Sequence, residues 1–204
     1  MEYLILGFFT GLSLILAIGA QNIFVIEQGL KKQYVFIVCL ICFLSDLLLI
    51  FLGILLFHFF HQYFNLIVEF VLNILLIIFL IYFIYSKIKS IRINVNFDSE
   101  VKDTLKIEVT LKTLGFTYLN AHVYSDTVFF LGNFSKNFLL DEKIYFGFGA
   151  SIASFIFFFM LGYLSTYFSK YAQNEKVWQF INIFIIGFMS LLTIYIIKET
   201  AYLI

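Results

Sequence analysis

Six stretches of the chain are almost continuously hydrophobic, and short polar connections separate most of them. Each is about 20 residues or longer, which at a rise of about 1.5 Å per residue spans a bilayer core about 30 Å thick. The runs lack the alternation of barrel strands, so they predict helices whose backbone groups bond within the segment. The stretches are residues 3–26, 35–57, 66–85, 113–132, 144–168 and 177–197.

One long polar connection, residues 86–112, divides the six stretches into two groups of three. Because three is an odd number, the second group enters the membrane from the side opposite to the first, as in the inverted repeats of transporters. We therefore predict an all-α polytopic membrane protein with six transmembrane helices as a 3+3 inverted repeat. It is one integral membrane domain, with a first half at 1–85, a cytoplasmic linker at 86–112 that is a solvated tether, and a second half at 113–204.

The composition and the charge distribution agree with lipid as the solvent. Of 204 residues, 62% are apolar and 13% are charged, whereas soluble domains average about 45–50% and about 25%. The 13 basic and 13 acidic residues cancel, so the net charge does not indicate a nucleic-acid partner. With six alternating spans, ten Lys and Arg residues lie on the side of the linker and three on the other. This asymmetry places both termini outside the cytoplasm.

Three charged side chains fall inside the six stretches, and all are acidic: Asp46, Glu69 and Asp126. A carboxylate at the bilayer centre costs about 2.5–3.5 kcal/mol on insertion scales, so such residues indicate a function. Glu69 is close enough to a span end to reach the interface, which favours a structural role. No Lys or Arg lies in any stretch to pair with Asp46 or Asp126. Their counter-ion is then a cationic solute, a metal ion or a proton.

Polar residues also interrupt the first stretch of each half, at matching places. Residues 19–22 read Gly-Ala-Gln-Asn and residues 119–122 read Leu-Asn-Ala-His. Interruptions at equivalent points of two inverted halves indicate a transporter's binding site, although amides that bond between helices are the alternative. His122 precedes Asp126 by one helical turn, so the two side chains share a face and can share a proton.

Two further small motifs receive structural interpretations. Cys39 and Cys42 have the spacing of a redox dithiol, but they lie in an apolar helix without Gly or Pro between them, which suppresses the thiolate. Gly7 and Gly11 form a small-residue packing face that we assign to contacts within the chain. We predict no catalytic residue, no cofactor and no bound metal.

Longer motifs around these positions resemble the lysine exporter (LysE) family of bacterial inner-membrane amino-acid exporters, on its branch for basic amino acids. Residues 19–22 and the basic turn at 28–33 resemble the family's Gly-Pro-Gln-Asn motif and the turn that follows it. Residues 45–46 resemble its Ser-Asp of the second helix, and residues 118–126 its Trp-Leu-Asn-Pro-His-Val-Tyr-Leu-Asp. Residues 177–182 resemble its Trp-Arg-Trp-Ile-Asn stretch.

Ala20 and Ala121 depart from this pattern, because both family positions are proline. Alanine restores a backbone donor that proline lacks. Gly19 still permits a local break beside Ala20, whereas Ala121 has no glycine neighbour. We therefore expect the fourth stretch to be a more continuous helix than the first.

The resemblance implies secondary-active export of L-lysine and/or L-arginine by a multi-pass inner-membrane transporter that is not an enzyme. Exporting a cation against the membrane potential costs about 2.3 kcal/mol per charge per 100 mV, so coupling to inward protons is expected. The implied partners are the basic amino acid, protons and the bilayer, without nucleic acid, and a homodimer is left open. The alternatives are a threonine/homoserine type exporter of neutral amino acids, an exporter of a divalent cation and, from another class, a thiol oxidoreductase.

The resemblance also implies roles for the polar residues inside the stretches. Asp46 and Asp126 are assigned to the substrate cation, and Asp46, Asp126 and His122 to proton coupling. The remaining substrate-binding residues, assigned to the amino-acid end, are Gly19, Gln21, Asn22 and Asn120.

The topology can be tested with single cysteines, Asn96→Cys and Gln62→Cys, in a background that lacks Cys39 and Cys42. Added to intact cells, a membrane-impermeant thiol reagent is expected to label the cysteine at position 62 and not the one at 96, because the linker is predicted to be cytoplasmic. Labelling at position 96 from outside would overturn this topology.

Overall fold

The computed structural model describes residues 1–16, 19–63, 66–92, 105–172 and 174–202, and within these ranges the chain is helical and contains no strand. A π-helical turn, Ser125–Phe130, lies between two short α-helices. The α-helices are α1 (Glu2–Ile15), α2 (Ala20–Lys31), α3 (Val35–Tyr63), α4 (Leu66–Arg92), α5 (Lys106–Tyr118), α6 (Ala121–Tyr124), α7 (Leu131–Phe134), α8 (Leu140–Ala172) and α9 (Glu175–Tyr202).

Among the described residues, three helices are long and apolar enough to cross a bilayer, at Val35–Leu55, Leu140–Tyr171 and Gln179–Lys198. A fourth candidate span is the pair α1 and α2, whose axes are bent by 83° at the break between them. Helix α4 contains a further apolar segment, Asn73–Tyr85, among the residues whose side chains the structure describes. The prediction of an all-α membrane protein is confirmed, whereas the arrangement of six spans is not confirmed by these helices.

Two predicted spans are interrupted rather than continuous. In the first stretch, residues 3–26, α1 ends at Ile15 and α2 begins at Ala20, so the break lies beside Gly19, where the sequence permits one. The fourth stretch, residues 113–132, which we expected to be more continuous than the first, is also broken, because α5 ends at Tyr118 and α6 begins at Ala121. A hydrophobic stretch shows how much of the chain lies in lipid, but it does not show whether the helix is continuous. The breaks occur at Gly and Asn, which are poor helix formers.

The predicted linker is partly helical. Within residues 86–112, α4 continues to Arg92 and α5 begins at Lys106. Charged residues end a hydrophobic stretch without ending a helix, since Lys and Arg are good helix formers. The prediction of a solvated tether therefore concerns residues 93–104, which lie outside the described residues.

Helix α8 is the centre of the packing, and α1, α2 and α3 all pack against it. Glycines permit the closest approach, since a Cβ atom at Gly7 would overlap the carbonyl oxygen of Phe146. Similarly, a Cβ atom at Gly149 would overlap the carbonyl oxygen of Leu4. The predicted packing face of Gly7 and Gly11 is thus confirmed as a contact within the chain.

An aromatic cluster joins the first half of the chain to the second. The ring of Phe116 in α5 lies 5.0 Å from that of Phe24 in α2, centroid to centroid, and 4.8 and 5.1 Å from those of Phe79 and Phe83 in α4. The last two pairs have the edge-to-face geometry that aromatic quadrupoles favour. Because Phe116 is fully buried, this cluster closes the space between α2, α4 and α5.

The α1–α8 contact can be tested with Gly149→Ala, which we expect to lower the thermal midpoint of the detergent-purified protein. The added methyl group meets backbone atoms that cannot move aside, and such overpacking costs about 1–3 kcal/mol or more. The matched control is Gly187→Ala in α9, where a Cβ atom would meet nothing within 4 Å. Equal midpoints for the two variants would contradict the close contact.

Candidate functional site

Both helix breaks open onto one cavity of about 270 Å³. All six residues predicted to bind substrate line this cavity: Gly19, Gln21, Asn22, Asp46, Asn120 and Asp126. Much of the remaining wall is apolar, and it includes Leu14 of α1, Ile50 of α3, Leu76 of α4 and Ile196 of α9. The fold therefore gathers these residues from both halves of the chain, while their roles in binding stay a prediction.

The N-terminus of α2 forms one wall of the cavity. Its N-cap residue Gly19 has an extended backbone (φ −115°, ψ −177°) and makes no side-chain capping hydrogen bond. The N–H of Ile23 bonds to the carbonyl oxygen of Gly19 at 3.2 Å. The preceding N–H groups, of residues 20–22, have no acceptor within the helix, and they carry the positive end of its dipole.

Two neighbouring amides on α2 are used differently. Asn22 Nδ2 donates to the carbonyl oxygen of Ile15 at 3.2 Å and so ties the start of α2 to the end of α1. Gln21 is buried, and within the described chain its Nε2 has no acceptor that makes a well-formed hydrogen bond. The sulfur of Cys42 lies beside it, but a thiol is a weak acceptor. Asn22 thus stabilises the break, whereas Gln21 lines the cavity while its Nε2 is buried beside Cys42.

Asp46 lies in the middle of α3 and is only 3% exposed. Its carboxyl group accepts a hydrogen bond of 2.8 Å from Ser154 Oγ of α8, and it is near enough to Asp126 for the two carboxyl groups to interact electrostatically. The ion pairs formed among the described residues, Lys31 with Glu27 and Lys112 with Glu108, do not involve Asp46. Among the described residues, the hydrogen-bond partner of the Asp46 carboxyl group is therefore the neutral hydroxyl of Ser154.

The π-helical turn presents Asp126 to the cavity. It packs against α3 at Gly53, where a Cβ atom would come within 2.6 Å of Val128 Cα. A π-helical turn inserts one extra residue into a helix, and such turns are frequent at functional sites. The hydroxyl of Thr127, which also lines the cavity, donates to the carbonyl oxygen of Val123 at 2.6 Å. The sequence pattern did not predict this turn.

One cavity residue and one hydrogen-bond partner of a cavity residue were missed, and some predicted residues lie outside the described side chains. Ser154 and Tyr195 were not singled out, although Ser154 contacts Asp46 and Tyr195 lines the cavity. A signal for Ser154 exists, since it is a small polar residue in an apolar helix, but such residues are common in membrane proteins. The side chains of His122 and Glu69 lie outside those that the structure describes.

The cysteines lie in the core beside the cavity. Both are buried free thiols, and Cys39 Sγ donates to the carbonyl oxygen of Phe158 at 3.2 Å. Cys42 packs next to Gln21 rather than lining the cavity. Their placement favours the structural interpretation over a dithiol reaction centre, because a reactive cysteine is at least partly exposed in an electropositive environment.

Known proteins similar to this chain are transporters. The family described as LysE type translocator matches residues 12–200. The "Arginine exporter protein ArgO" of Salmonella paratyphi A (strain ATCC 9150 / SARB42) is 30% identical over 200 residues, which cover 98% of this chain and 95% of that protein. The protein of the same name from Pectobacterium carotovorum subsp. carotovorum (strain PC1) is 32% identical over 184 residues, 88% of each chain. No solved structure matches the chain.

Both alanines that stand in place of the family prolines are the first residue of a helix. Ala20 opens α2 and Ala121 opens α6. Proline is favoured at this position, because the N–H that it lacks would make no bond within the helix. The extended backbone of Gly19 also suits the residue before a proline. The breaks therefore form without proline, at the positions where the family has it.

Ala20→Pro is accordingly expected to leave the thermal midpoint of the purified protein close to that of the native protein. Ile23→Pro, three residues further along the same helix, is the control, because it removes the N–H that bonds to Gly19. Proline inside a helix costs about 3 kcal/mol or more, so this variant should lose stability or fail to insert. Similar losses for the two variants would show that α2 does not begin at Ala20.

Proposed function

The chain belongs to the LysE type translocator family, and on that premise we propose that it exports basic amino acids, arginine foremost, from the cytoplasm. Family membership makes it a transporter rather than an enzyme, and a multi-pass protein of the bacterial inner membrane. The relatives named as arginine exporters match nearly its whole length, which supports arginine as the substrate. Export of lysine rests on the sequence resemblance alone.

The observation that carries the proposal is the buried Asp46 on the cavity wall, hydrogen-bonded to the neutral Ser154. A carboxylate inside a membrane bundle needs a partner. The guanidinium of arginine is always charged and can donate two parallel hydrogen bonds to one carboxylate. We assign the side-chain cation of the substrate to Asp46, with Asp126 beside it.

The other polar residues of the cavity are assigned to the amino-acid end of the substrate. Gly19, Gln21 and Asn120 line the cavity at the two helix breaks. Asn22 contributes by holding the first break in shape through its bond to Ile15. This arrangement places polar groups from both halves around one solute.

We also propose the six-span, 3+3 inverted repeat as the architecture that carries this site. The packing supports it, because α1 and α2 pack against α8 in the same way as the broken stretch from α5 to α7 packs against α3. The third member of each half, α4 or α9, packs against its counterpart. If the two halves are exchanged, each of these helix contacts is replaced by an equivalent one. A two-fold axis in the membrane plane requires this correspondence.

The aromatic cluster supports a mechanism in which the cavity is open to only one side of the membrane at a time. Phe24 follows the cavity residue Gln21 by three positions, and Phe116 precedes Asn120 by four. With the predicted topology, their ring contact of 5.0 Å lies on the cytoplasmic side of the cavity. Arginine entering from the cytoplasm must separate these rings. The structure then corresponds to a state that is closed to the cytoplasm.

Proton coupling is the proposed source of energy for export. Moving one positive charge outward costs about 2.3 kcal/mol per 100 mV of inside-negative potential. If Asp46 or Asp126 accepts a proton as the substrate cation leaves, each inward proton compensates for one outward charge. His122 is proposed as a further proton-carrying group because it lies four residues before Asp126. The homodimer stays an untested prediction.

Asp46→Asn is expected to reduce arginine export at least about 30-fold, as measured by efflux of labelled arginine from loaded cells. Removing one partner of a buried charge pair costs about 2–5 kcal/mol, and about 1.4 kcal/mol corresponds to a factor of ten. Expression and insertion should not suffer, because asparagine keeps the volume and removes the carboxylate's cost in lipid.

The matched control is Asp141→Asn, which changes an exposed carboxyl group in the first turn of α8. Its export rate is expected to equal that of the native protein. Unchanged export by Asp46→Asn, at native expression, would contradict the assignment of this acid to the substrate.

A further inference from the structure

We propose that Ser154 is a positioning residue that fixes the plane of the Asp46 carboxylate and thereby makes the cavity prefer a guanidinium over an ammonium group. The inference rests on the proposed function and deepens it, because it names the side-chain class that the site selects among basic amino acids. Ser154 is not itself among the residues that line the cavity. It acts on the substrate through its hydrogen bond to Asp46.

The hydroxyl of Ser154 is used differently from three other hydroxyls of α8. Those of Ser151, Ser165 and Thr166 each donate to the carbonyl oxygen four residues earlier in the same helix. Ser154 Oγ donates instead to Asp46 Oδ2 of α3, at 2.8 Å. Because a serine has one O–H to donate, this bond replaces the local bond that serines in helices often make to their own backbone.

The packing around Ser154 holds its hydroxyl in a fixed place. The residue is 0% exposed, as are Ala150 and Ala153 on the same helix, and α8 is the helix against which α1, α2 and α3 pack. A carboxylate, by contrast, turns readily about the bond that joins it to Cβ, because this torsion has broad minima. A hydrogen bond from a fixed hydroxyl therefore sets the direction in which the plane of the Asp46 carboxylate faces.

This bond leaves most of the Asp46 carboxylate available to a ligand. Each oxygen of a carboxylate accepts about two hydrogen bonds, and Ser154 occupies one of these positions on Oδ2. Among the residues that the structure describes, none forms a hydrogen bond to Oδ1. Because Asp46 lines the cavity, a solute there can reach a carboxylate that is already oriented.

Guanidinium and ammonium groups require different things of a carboxylate. A guanidinium donates two parallel hydrogen bonds and is planar, so it binds best when it lies in the plane of the carboxylate. An ammonium is a compact charge whose three donors rotate, so its attraction depends little on that plane. Fixing the plane before the substrate arrives lowers the ordering cost of binding, and it does so for the guanidinium more than for the ammonium group.

Titration calorimetry with L-arginine and L-lysine, on the full-length protein in nanodiscs, tests this role. We expect the native protein to bind arginine about tenfold more tightly than lysine, because the two-bond geometry is available only to the guanidinium. Ser154→Ala is expected to weaken arginine binding about tenfold and lysine binding less than about threefold, so that the ratio of the two affinities falls toward one. A loss of structure alone would weaken both equally.

Ser151→Ala is the matched control. It removes a buried hydroxyl from the same helix, but one that bonds to the carbonyl oxygen of Gly147, so it should keep the native ratio. Should Ser154→Ala not fold, Ser154→Cys replaces the hydroxyl by a small thiol that is a weaker donor. This second variant is expected to lower the ratio in the same direction.

The outcomes separate the role of Ser154 from the export function. Equal affinities of the native protein for arginine and lysine, or an unchanged ratio in the folded Ser154 variant, would overturn this role and leave the export of basic amino acids intact. Binding of neither amino acid to the native protein would count against the proposed function, and the role of Ser154 would fall with it.

Discussion

The buried carboxyl group of Asp46 is the constraint on which the rest of this molecule depends. In lipid an acid without a partner is costly, and the described fold offers it the hydroxyl of Ser154 and the nearby acid Asp126. Both helix breaks converge on the same place, so each half contributes residues to the cavity wall. The cavity has two acids, Asp46 and Asp126, in its wall, and we propose that they bind the cation of the substrate. In the proposed function, the substrate cation is the partner that offsets the cost of keeping an acid in the membrane.

The packing around α8 makes this convergence possible. Glycines such as Gly7 and Gly149 bring the backbones of α1 and α8 into contact, which small residues permit inside membranes, where apolar side chains gain little from meeting each other. This leaves α2, beyond the break, to turn toward the centre of the bundle. On one side of the cavity the rings of Phe24 and Phe116 close the path. Close contacts hold the scaffold, and we propose that the aromatic cluster is the part that moves during transport.

Much of the site could be predicted from the sequence, because polar residues inside long apolar stretches are few and expensive. Gln21, Asn120 and the two acids stood out for this reason, and the structure brings them to one cavity. The break before Ala121 and the π-helical turn could not be predicted, since hydrophobicity does not report which backbone bonds form. Ser154 was missed because small polar residues are common in membrane helices, so the sequence does not distinguish the one that bonds to Asp46. The helical ends of the linker, up to Arg92 and from Lys106, were not predicted. Charged residues interrupt the hydrophobic pattern there, but they do not end the helix.

Counterflow in proteoliposomes tests the central claim, that this cavity selects and moves a basic amino acid. Vesicles that contain the purified protein are loaded with unlabelled arginine, lysine, threonine or cadmium, and uptake of trace labelled arginine is followed over time. The account predicts rapid uptake with internal arginine, accelerated exchange with lysine if the cavity accepts both, and background uptake with threonine or cadmium. Uptake no faster with internal arginine than with empty vesicles, or driven equally by threonine, would contradict it.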